Sequence, residues 1–406
     1  MQKPKIRFKG YQEEWEQRKL PEFVSFFNGL TYTPDDVEET GTLVLRSSNV
    51  KNGEIIDADN VYVNDKVATS ENVQEGDIIV VVRNGSRALI GKHAQIKASM
   101  PNTVIGAFMS GMRSEHSSFV NALLDTSAFE NEIAKNMGAT INQITGYMFS
   151  KMEFMIPSGE EQQQIGGYFQ SLDKLITLHH RKCEEMKILK KYMLQKMFPQ
   201  NGNSVPEIRF LGFTEDWEQR KFKELCDMVT VGIANSATHA YSDSGVVMFR
   251  NQNIKPNFLD DTDIIYINSE FEVKYKNKRL KKNDLLVART GYPGTACVVP
   301  EKYENSQTFT TLIARPNENV DPYFLCQYLN SDIGIKYFES TQIGGGQKNS
   351  GAGILNEMPV TLPSTIEEEK QIADYFIQLD HLITLHQKKC DELRNIKKFM
   401  LQNMFI

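Results

Sequence analysis

The sequence has few cysteines and no long hydrophobic run. None of its five cysteines belongs to a C-x-x-C pair; they are Cys183, Cys226, Cys297, Cys326 and Cys390. This scatter excludes a disulfide framework and a structural zinc finger, and it is typical of an intracellular protein with reduced thiols. The longest aliphatic run, Ile78 to Val82, is far too short to span a membrane, and the N-terminal residues contain no apolar stretch of signal-peptide length. We therefore expect a cytoplasmic protein without a membrane partner.

The motifs of common nucleotide-dependent enzymes are also missing. There is no G-x-x-x-x-G-K-[ST] loop, and the glycines at 344–346 lack the spacing and context of a dinucleotide-binding fold. The tetrapeptide at 321–324, Asp-Pro-Tyr-Phe, lacks the second proline of an amino-methyltransferase motif. Asp263, Glu272 and Lys274 fit a nuclease pattern that is short enough to arise by chance. We expect no catalytic, cofactor-binding or metal-binding residue in this chain.

Positive charge is not in excess either. The formal net charge is −6, which argues mildly against coating of nucleic acid by charge alone and does not exclude a local basic surface. With 406 residues, of which 40% are hydrophobic and 24% charged, the chain has the composition of a globular protein. It is too long for one ordinary core, so two domains are expected.

What the sequence does contain is a long heptad pattern that occurs twice. Apolar positions of the first copy step by threes and fours, and those of the second copy follow 207 positions later. The positions in the first copy are Ile165, Phe169, Leu172, Ile176, His179, Cys183, Met186, Met193 and Met197. A repeat of 3.5 residues sustained in this way predicts a coiled-coil helix. A helix cannot bury such a stripe against itself, so we expect the helices at 160–198 and 364–406 to bury each other.

Histidine and cysteine occupy the middle of both seams. They are His179 and Cys183 in the first copy, and His386 and Cys390 in the second. Isolated ligands on a long seam seldom form a structural zinc site. A polar layer that fixes the register of the coiled coil is the interpretation we favour.

The repeat extends beyond the helices. The segment Ile-Arg-Phe at 6–8 and the Trp-Glu-Gln-Arg-Lys sequence that begins at Trp15 recur at 208–210 and Trp217, and these are the only two tryptophans. Each tryptophan is predicted to be buried and to anchor its segment onto the neighbouring domain. The predicted division is a segment with a first domain at 1–159, a helix at 160–198, a linker at 199–204, a second domain at 205–363 and a helix at 364–406.

The two stretches between tryptophan and helix differ in sequence but share an order of elements. Each has a buried strand rich in branched residues, at 78–82 and 285–288, which ends at an arginine with a glycine two positions later. A helical patch follows, at 118–137 and 322–338, and then a loop with glycine and Asn or Gln, at 138–143 and 344–349. The expected fold class is α+β, with two mixed α/β domains and an internal repeat.

Side chains suited to DNA recognition cluster at the strand ends and glycine loops. Arginine forms bidentate pairs with guanine, and Asn or Gln does so with adenine, while cations contact phosphates. The candidates in the first domain are Arg46, Asn49, Arg83, Asn84, Ser86, Arg87, Asn142 and Gln143. Those in the second domain are Arg250, Asn251, Gln252, Arg289, Thr290, Tyr292, Gln347, Lys348 and Asn349. Lys92 is a further candidate in the first domain, and Asn253 is one in the second. Any one of these residues taken alone also fits a solvated loop, and the matched recurrence in two divergent domains is what favours DNA binding.

Two divergent domains, each followed by a long helix that begins E-x-x-x-I, closely resemble the specificity subunit of type I restriction–modification enzymes. The resemblance covers the whole chain and rests on the duplicated architecture, the strand ends at Arg83 and Arg289, and the loops ahead of Pro157 and Pro363. It implies that the two helices form an antiparallel coiled coil and that each domain reads one half of a split target in double-stranded DNA.

The resemblance also implies partners. Two methylation subunits would dock on the helices and bring S-adenosylmethionine, while restriction subunits would bring ATP-driven translocation and Mg²⁺-dependent cleavage. The specificity subunit itself would be non-catalytic. Two other functions stay open at this point: a protein-interaction scaffold that does not contact DNA, and an autonomous methyltransferase or nuclease.

Overall fold

The computed structural model describes residues 3–137, 142–200, 202–235, 237–341 and 351–406. The chain divides into two compact units, Met1–His180 with Gln387–Ile406, and Arg181–His386. Each unit therefore contains one of the two variable domains together with part of each long helix.

The first half of the chain has short strands followed by helices. Its strands within the described residues are β1 (Glu16–Lys19), β2 (Ser25–Asn28), β3 (Val37–Glu38), β4 (Thr42–Leu45), β5 (Val50–Lys51), β6 (Glu54–Ile55), β7 (Val61–Val63), β8 (Ile78–Val81), β9 (His93–Gln95), β10 (Thr103–Ile105), β11 (Met109–Arg113) and β12 (Glu153–Ile156). Its helices are α1 (Ser117–Leu124), α2 (Ser127–Asn136), α3 (Gly146–Phe149) and the long α4 (Gly159–Lys196).

The second half repeats this order. Its strands within the described residues are β13 (Glu218–Lys221), β14 (Cys226–Val231), β15 (Tyr241–Ser242), β16 (Val246–Phe249), β17 (Ile254–Lys255), β18 (Phe258–Leu259), β19 (Ile265–Ile267), β20 (Leu285–Val287), β21 (Ala296–Val298), β22 (Gln307–Thr308), β23 (Leu312–Pro316) and β24 (Pro359–Leu362). Its helices are α5 (Ser269–Val273), α6 (Pro322–Asn330), α7 (Asp332–Ser340), α8 (Ala352–Asn356) and the long α9 (Ile366–Met404).

The sheets of the two domains correspond strand by strand. In the first domain the order is β10-β4-β7-β3 in one sheet and β2-β11-β8-β9 in another; in the second it is β15-β19-β16-β22 and β14-β23-β20-β21. Both domains contain one parallel pair, β4 with β10 and β16 with β22. The mixed α/β composition predicted for the two domains is confirmed.

The predicted buried strand lies in the middle of each domain. On β8, Ile78 and Val80 pack into the cluster that contains Phe119 of α1, whereas Ile79 and Val81 pack into a second cluster on the opposite face. The same alternation occurs on β20. Burial on both faces explains why these strands read as continuous aliphatic runs in the sequence.

Each predicted helical patch consists of two helices. In the first domain Thr126 separates them and accepts a hydrogen bond of 3.4 Å from the backbone of Phe129, which caps α2. In the second domain Asp321 caps α6, since its carboxylate accepts hydrogen bonds from the first backbone N–H groups of that helix. Pro322 then occupies the first helical turn, where a missing N–H costs nothing.

Helices α4 and α9 pack together with opposite chain directions in each unit. In the first unit the thiol of Cys390 is 3.5 Å from the carbonyl oxygen of Ile176. In the second unit the thiol of Cys183 is 3.8 Å from the carbonyl oxygen of Ile383. The early part of each helix therefore contacts the later part of the other, which confirms the predicted antiparallel coiled coil.

The tryptophans are buried as predicted, with 3% and 4% exposure for Trp15 and Trp217. Their contacts go beyond the neighbouring domain. Trp15 packs edge-on against Phe405, just past the end of α9, and Trp217 packs edge-on against Phe198, just past the end of α4. Each entry segment thus docks onto the end of the long helix that belongs to the other half of the repeat.

Backbone hydrogen bonds and buried ion pairs hold the two entry segments in place. The amide of Ile6 donates to the carbonyl of Asn403, and the amide of Ile208 donates to that of Lys196, each at 2.9 Å. Two matched ion pairs join these segments to the first turns of the long helices: Arg7 with Glu161, and Arg209 with Glu368.

No helix within the described ranges is both long enough and apolar enough to cross a bilayer.

Candidate nucleic-acid interface

Three segments of the first domain that carry predicted DNA contacts come together beside the end of β8. The side-chain Nδ2 of Asn84 donates a hydrogen bond of 3.3 Å to the hydroxyl of Ser47, which follows β4. The side chain of Asn142 donates to the carbonyl of Gly85 at 3.0 Å, and Arg83 forms a β-bridge with Gln143. Residues distant in sequence therefore form one polar surface.

Arg46, the residue before Ser47, is held in place by an aspartate. Its Nη2 donates to the carboxylate of Asp59 at 2.6 Å and to the carbonyl oxygen of Asp59 at 2.5 Å. The guanidinium is therefore oriented before any ligand binds, which lowers the entropy cost of using it in recognition.

Asn49 does not belong to the exposed surface. It has 0% exposure, its Oδ1 accepts a hydrogen bond from the backbone of Arg46, and its Nδ2 donates to the carbonyl of Ala58 and to Asn60. Asn253 in the second domain has 2% exposure; its Oδ1 accepts from the backbone of Arg250, and its Nδ2 donates to the carbonyl of Asp260. Both side chains stabilise the turn behind the arginine, so the expected base contact by Asn49 is incompatible with this conformation.

The remaining cations of the first surface differ in exposure: Arg83 and Arg87 are exposed, whereas Lys92 is half-buried and donates to the carbonyl of Ser47 at 3.3 Å. Arg83 lies over the ring of Phe108, 5.1 Å from its centroid, and both residues are exposed, as are Ser86 and Arg87. Burial lowers the pKa of Lys92, and the nearby charge of Lys51 lowers it further. An approaching phosphate would favour the charged form of such a lysine.

In the second domain the corresponding segments line a cleft of about 780 Å³. The residues on its walls that sequence analysis named are Arg250, Asn251, Gln252, Thr290 and Tyr292. The Oδ1 of Asn251 accepts a hydrogen bond of 2.7 Å from the backbone of Arg289, which joins the turn after β16 to the end of β20.

An aspartate again holds the arginine of this cleft. The Nη2 of Arg250 donates to the carboxylate of Asp263 at 2.8 Å and to its carbonyl at 2.9 Å. The same carboxylate accepts a hydrogen bond of 2.6 Å from Gln252. Tyr292 is 84% exposed at the mouth of the cleft. The preceding residue, Gly291, has a φ of +77°, a backbone conformation that favours glycine.

The predicted contacts Gln347, Lys348 and Asn349 lie outside the described residues.

The carboxylates of the nuclease-like pattern serve other contacts. Asp263 accepts a hydrogen bond from Arg250. Glu272 has 1% exposure and accepts hydrogen bonds of 2.7 Å from Nε and Nη2 of Arg279. The hydrogen bonds from Arg279 lower the pKa of Glu272. Within the described residues no group of three His, Cys, Asp or Glu side chains is placed to hold a metal ion.

The sequence did not indicate that Asp59 and Asp263 orient the two arginines, and Asp263 was considered only as part of a nuclease-like pattern. A signal for them exists, because Asp59 and Asp263 both follow their arginine by 13 positions. Phe108 was also missed, since an exposed phenylalanine in a turn has no motif of its own.

Most of the chain matches a family model described as "Type I restriction modification DNA specificity domain", over residues 12–187 and 214–395. Each matched range contains one of the two polar surfaces and most of one long helix.

Individual relatives have similar descriptions. The chain is 24% identical over 277 residues to the type I restriction enzyme MjaVIII specificity subunit of Methanocaldococcus jannaschii, a match that covers 65% of this chain and 64% of that protein. It is 23% identical over 294 residues to the type I restriction enzyme EcoKI specificity subunit of Escherichia coli, with 68% and 61% covered. The chain thus spans slightly less than two thirds of the length of these two relatives.

A solved structure has the same fold. The crystal structure of the type I restriction–modification system S subunit from M. genitalium superimposes with a TM-score of 0.65 at 13% sequence identity, covering 100% of this chain and 99% of that one.

Proposed function

Because the chain belongs to the family of type I restriction modification DNA specificity domains, we propose that it is the DNA-recognition subunit of a type I restriction–modification complex. Each domain reads one half of a bipartite target in double-stranded DNA, and the paired helices set the number of base pairs between the halves. The subunit carries out no chemistry itself.

The observation that carries this proposal is the matched pair of polar surfaces. In each domain an arginine after a parallel-paired strand, a polar residue that follows it and an arginine at the end of the central strand lie together. Arginine, asparagine and glutamine present the paired donors and acceptors that base edges require. Because the surrounding residues differ between the domains, the two halves of the target differ as well.

The long helices supply a surface for partner subunits. In the first unit Leu175 and Leu178 on α4 and Ile396 and Phe399 on α9 are exposed. The second unit exposes the four residues at the equivalent positions, which are Leu189, Tyr192, Leu382 and Leu385. Repeated exposed apolar side chains are typical of protein–protein contact sites. Two methylation subunits, one for each set, are the partners that fit this repetition.

The other components of the reaction belong to those partners. Methylation subunits would supply S-adenosylmethionine, and restriction subunits would supply ATP-dependent translocation and cleavage with Mg²⁺. The assembled complex would act in the cytoplasm.

Mapping of methylated positions tests the proposal. The full chain is produced together with the methylation subunit of its system in a host that lacks other methylation, and the host genome is sequenced for modified adenines. We expect one bipartite sequence to be modified throughout the genome. Replacement of residues 24–156 by the domain of a relative is expected to change one half of that sequence only. A complex that binds no DNA sequence selectively would instead indicate a protein-interaction scaffold, and methylation or cleavage by the isolated chain would indicate an autonomous enzyme.

A further inference from the structure

One arrangement is shared by both polar surfaces down to individual atoms. Arg46 and Arg250 each follow a strand that pairs in parallel with a neighbour, and each donates from Nη2 to both the carboxylate and the carbonyl oxygen of an aspartate 13 positions later. The backbone amide of each arginine donates to a buried asparagine, at 2.9 and 2.8 Å. Backbone and side chain are thus both fixed.

The braced guanidinium groups keep donors for a ligand. A guanidinium carries five N–H groups, and the aspartate occupies the two on Nη2. Among the described residues Nη1 of Arg46 and of Arg250 has no hydrogen-bond partner, whereas Nε of each is buried without a partner. The two side chains are 32% and 28% exposed. Asp59 and Asp263 are 74% and 68% exposed, so water screens the charge of each carboxylate while the hydrogen bonds still orient the arginine.

The residues directly after these arginines differ. The first domain has Ser47-Ser48 and the second has Asn251-Gln252 at the same two places. The Arg–Asp pair is the same in both domains, whereas the residues beside it differ. Phosphates are the same in every DNA sequence and base edges are not, so a constant residue suits phosphate contact and a varied residue suits base recognition. Conversely, a residue that reads a base would have to change whenever the target changes.

We infer that Arg46 and Arg250, held by Asp59 and Asp263, contact DNA phosphates independently of sequence, whereas Ser47-Ser48 and Asn251-Gln252 belong to the base-reading part of each domain. This inference rests on the proposed function and assigns the two kinds of contact within it. A purely structural role of the Arg–Asp pairs is the competing explanation, since such a pair also stabilises the turn.

Salt-dependent binding separates the two explanations. The assembled complex of the full chain with its methylation subunits is titrated with a duplex that carries the mapped target and with one that lacks it, at several salt concentrations. We expect Arg250→Gln to weaken binding of both duplexes about tenfold, the loss of a charge-assisted contact. The slope of log affinity against log salt should fall by about one. Arg250→Lys should restore most of that slope, and the methylated sequence should stay unchanged for both variants.

A matched pair of variants tests the base-reading assignment. Replacement of Asn251 and Gln252 together by serine, as in the first domain, should alter the methylated bases in one half of the target and leave the salt slope intact. Lys282→Gln removes a charge that pairs with Glu301 away from the cleft and should change neither quantity.

Three results would overturn the inference. The first is an arginine variant that changes the methylated bases without changing the salt slope. The second is an arginine variant that lowers the melting temperature and changes neither the affinity nor the salt slope, which would assign the Arg–Asp pair a structural role. The third is an Asn251 and Gln252 double variant with the original target. Wild-type complex that shows no sequence preference would overturn the proposed function itself, and this is observed before any variant is made.

Discussion

Lys190 on α4 donates two hydrogen bonds, of 2.5 and 2.7 Å, to the carboxylate of Asp380 on α9. The equivalent pair in the first unit runs in the other direction, from Lys397 on α9 to Asp173 on α4 at 2.7 Å. A parallel or shifted pair of helices would separate these partners, so the two ion pairs specify both the direction and the register of the coiled coil.

Removal of one lysine should therefore destabilise the helix pair. Lys190 is 12% exposed, and Lys190→Met would leave the part-buried carboxylate of Asp380 without its cation. We expect the free energy of unfolding of the second unit to fall by about 1–3 kcal/mol, measured by denaturant titration of the full chain. Reversal of both charges, Lys190→Asp with Asp380→Lys, should recover part of the loss. Lys187→Met is the control, because Lys187 pairs with Glu184 of its own helix and is about half exposed. It should change stability by less than about 0.5 kcal/mol. Equal effects of the two substitutions would contradict the assignment.

A buried carboxyl group at the start of α9 should make stability depend on pH. Burial raises the pKa of Glu369 from 4.5 to about 8, and the negative charge of Asp321 adds to the increase. Between these two pH values the folded protein retains a proton that the unfolded chain has lost. Stability of the second unit should therefore fall as pH rises through this window, by up to about 1.4 kcal/mol for each pH unit.

Glu369→Gln tests this pH dependence. Gln162 occupies the equivalent position in the first half and is buried there, so the neutral side chain suits the site. We expect the variant to be more stable than the wild type at pH above 8 and its stability to vary less with pH, as measured by thermal unfolding across the range. Glu367→Gln alters an exposed carboxyl group of the same helical turn and should leave the pH profile unchanged. A profile that stays steep in the Glu369 variant would place the titrating group elsewhere.

The exposed apolar side chains on the long helices should govern assembly. Tyr192→Ser with Leu385→Ser changes one of the two sets, and both residues are about half exposed, so folding should be little affected. We expect native mass spectrometry to show a complex that has lost one of two methylation subunits. Lys182→Ser, an exposed polar position on the same helix, should retain both. Retention of both subunits by the double variant would place the docking surface elsewhere.

The length of the helix pair should set the spacing of the target. Insertion of one heptad into both α4 and α9 keeps the seam in phase and adds about 10 Å. We expect methylation mapping to show a longer unread spacer, by about three base-pair steps of about 3.4 Å, with both half-sites unchanged. Altered bases in a half-site would contradict this role. Insertion into α4 alone shifts the seam and should prevent assembly.

The helices and central strands could be predicted because their periodicity is local. A seam from Ile165 to Met197 repeats every few residues, and the run after Asp77 is apolar because both faces of β8 are buried. The contact between Trp15 and Phe405 could not be predicted in this way, since nothing in either segment refers to the other. Only the pairing of the two repeats in space brings them together.

Some residues of the polar surfaces could also be identified from patterns within the sequence. Arg83, Asn84 and Gln143 were identified by residue type and by recurrence, and the structure places them side by side. Asn49 and Asn253 recur in the same way, but both are buried and hold a turn together. The distinction needs burial, which a polar residue in a loop does not reveal in sequence.

The packing of Trp15 on Phe405 has a consequence for synthesis on the ribosome. The apolar surface around Phe119 in the first domain is completed by residues that emerge only after the whole second domain has been made. The second domain finds both of its helical contacts within the contiguous stretch 181–386. The domain that is translated first is therefore completed last, and its apolar surface around Phe119 stays uncovered until the residues around Phe405 have been made.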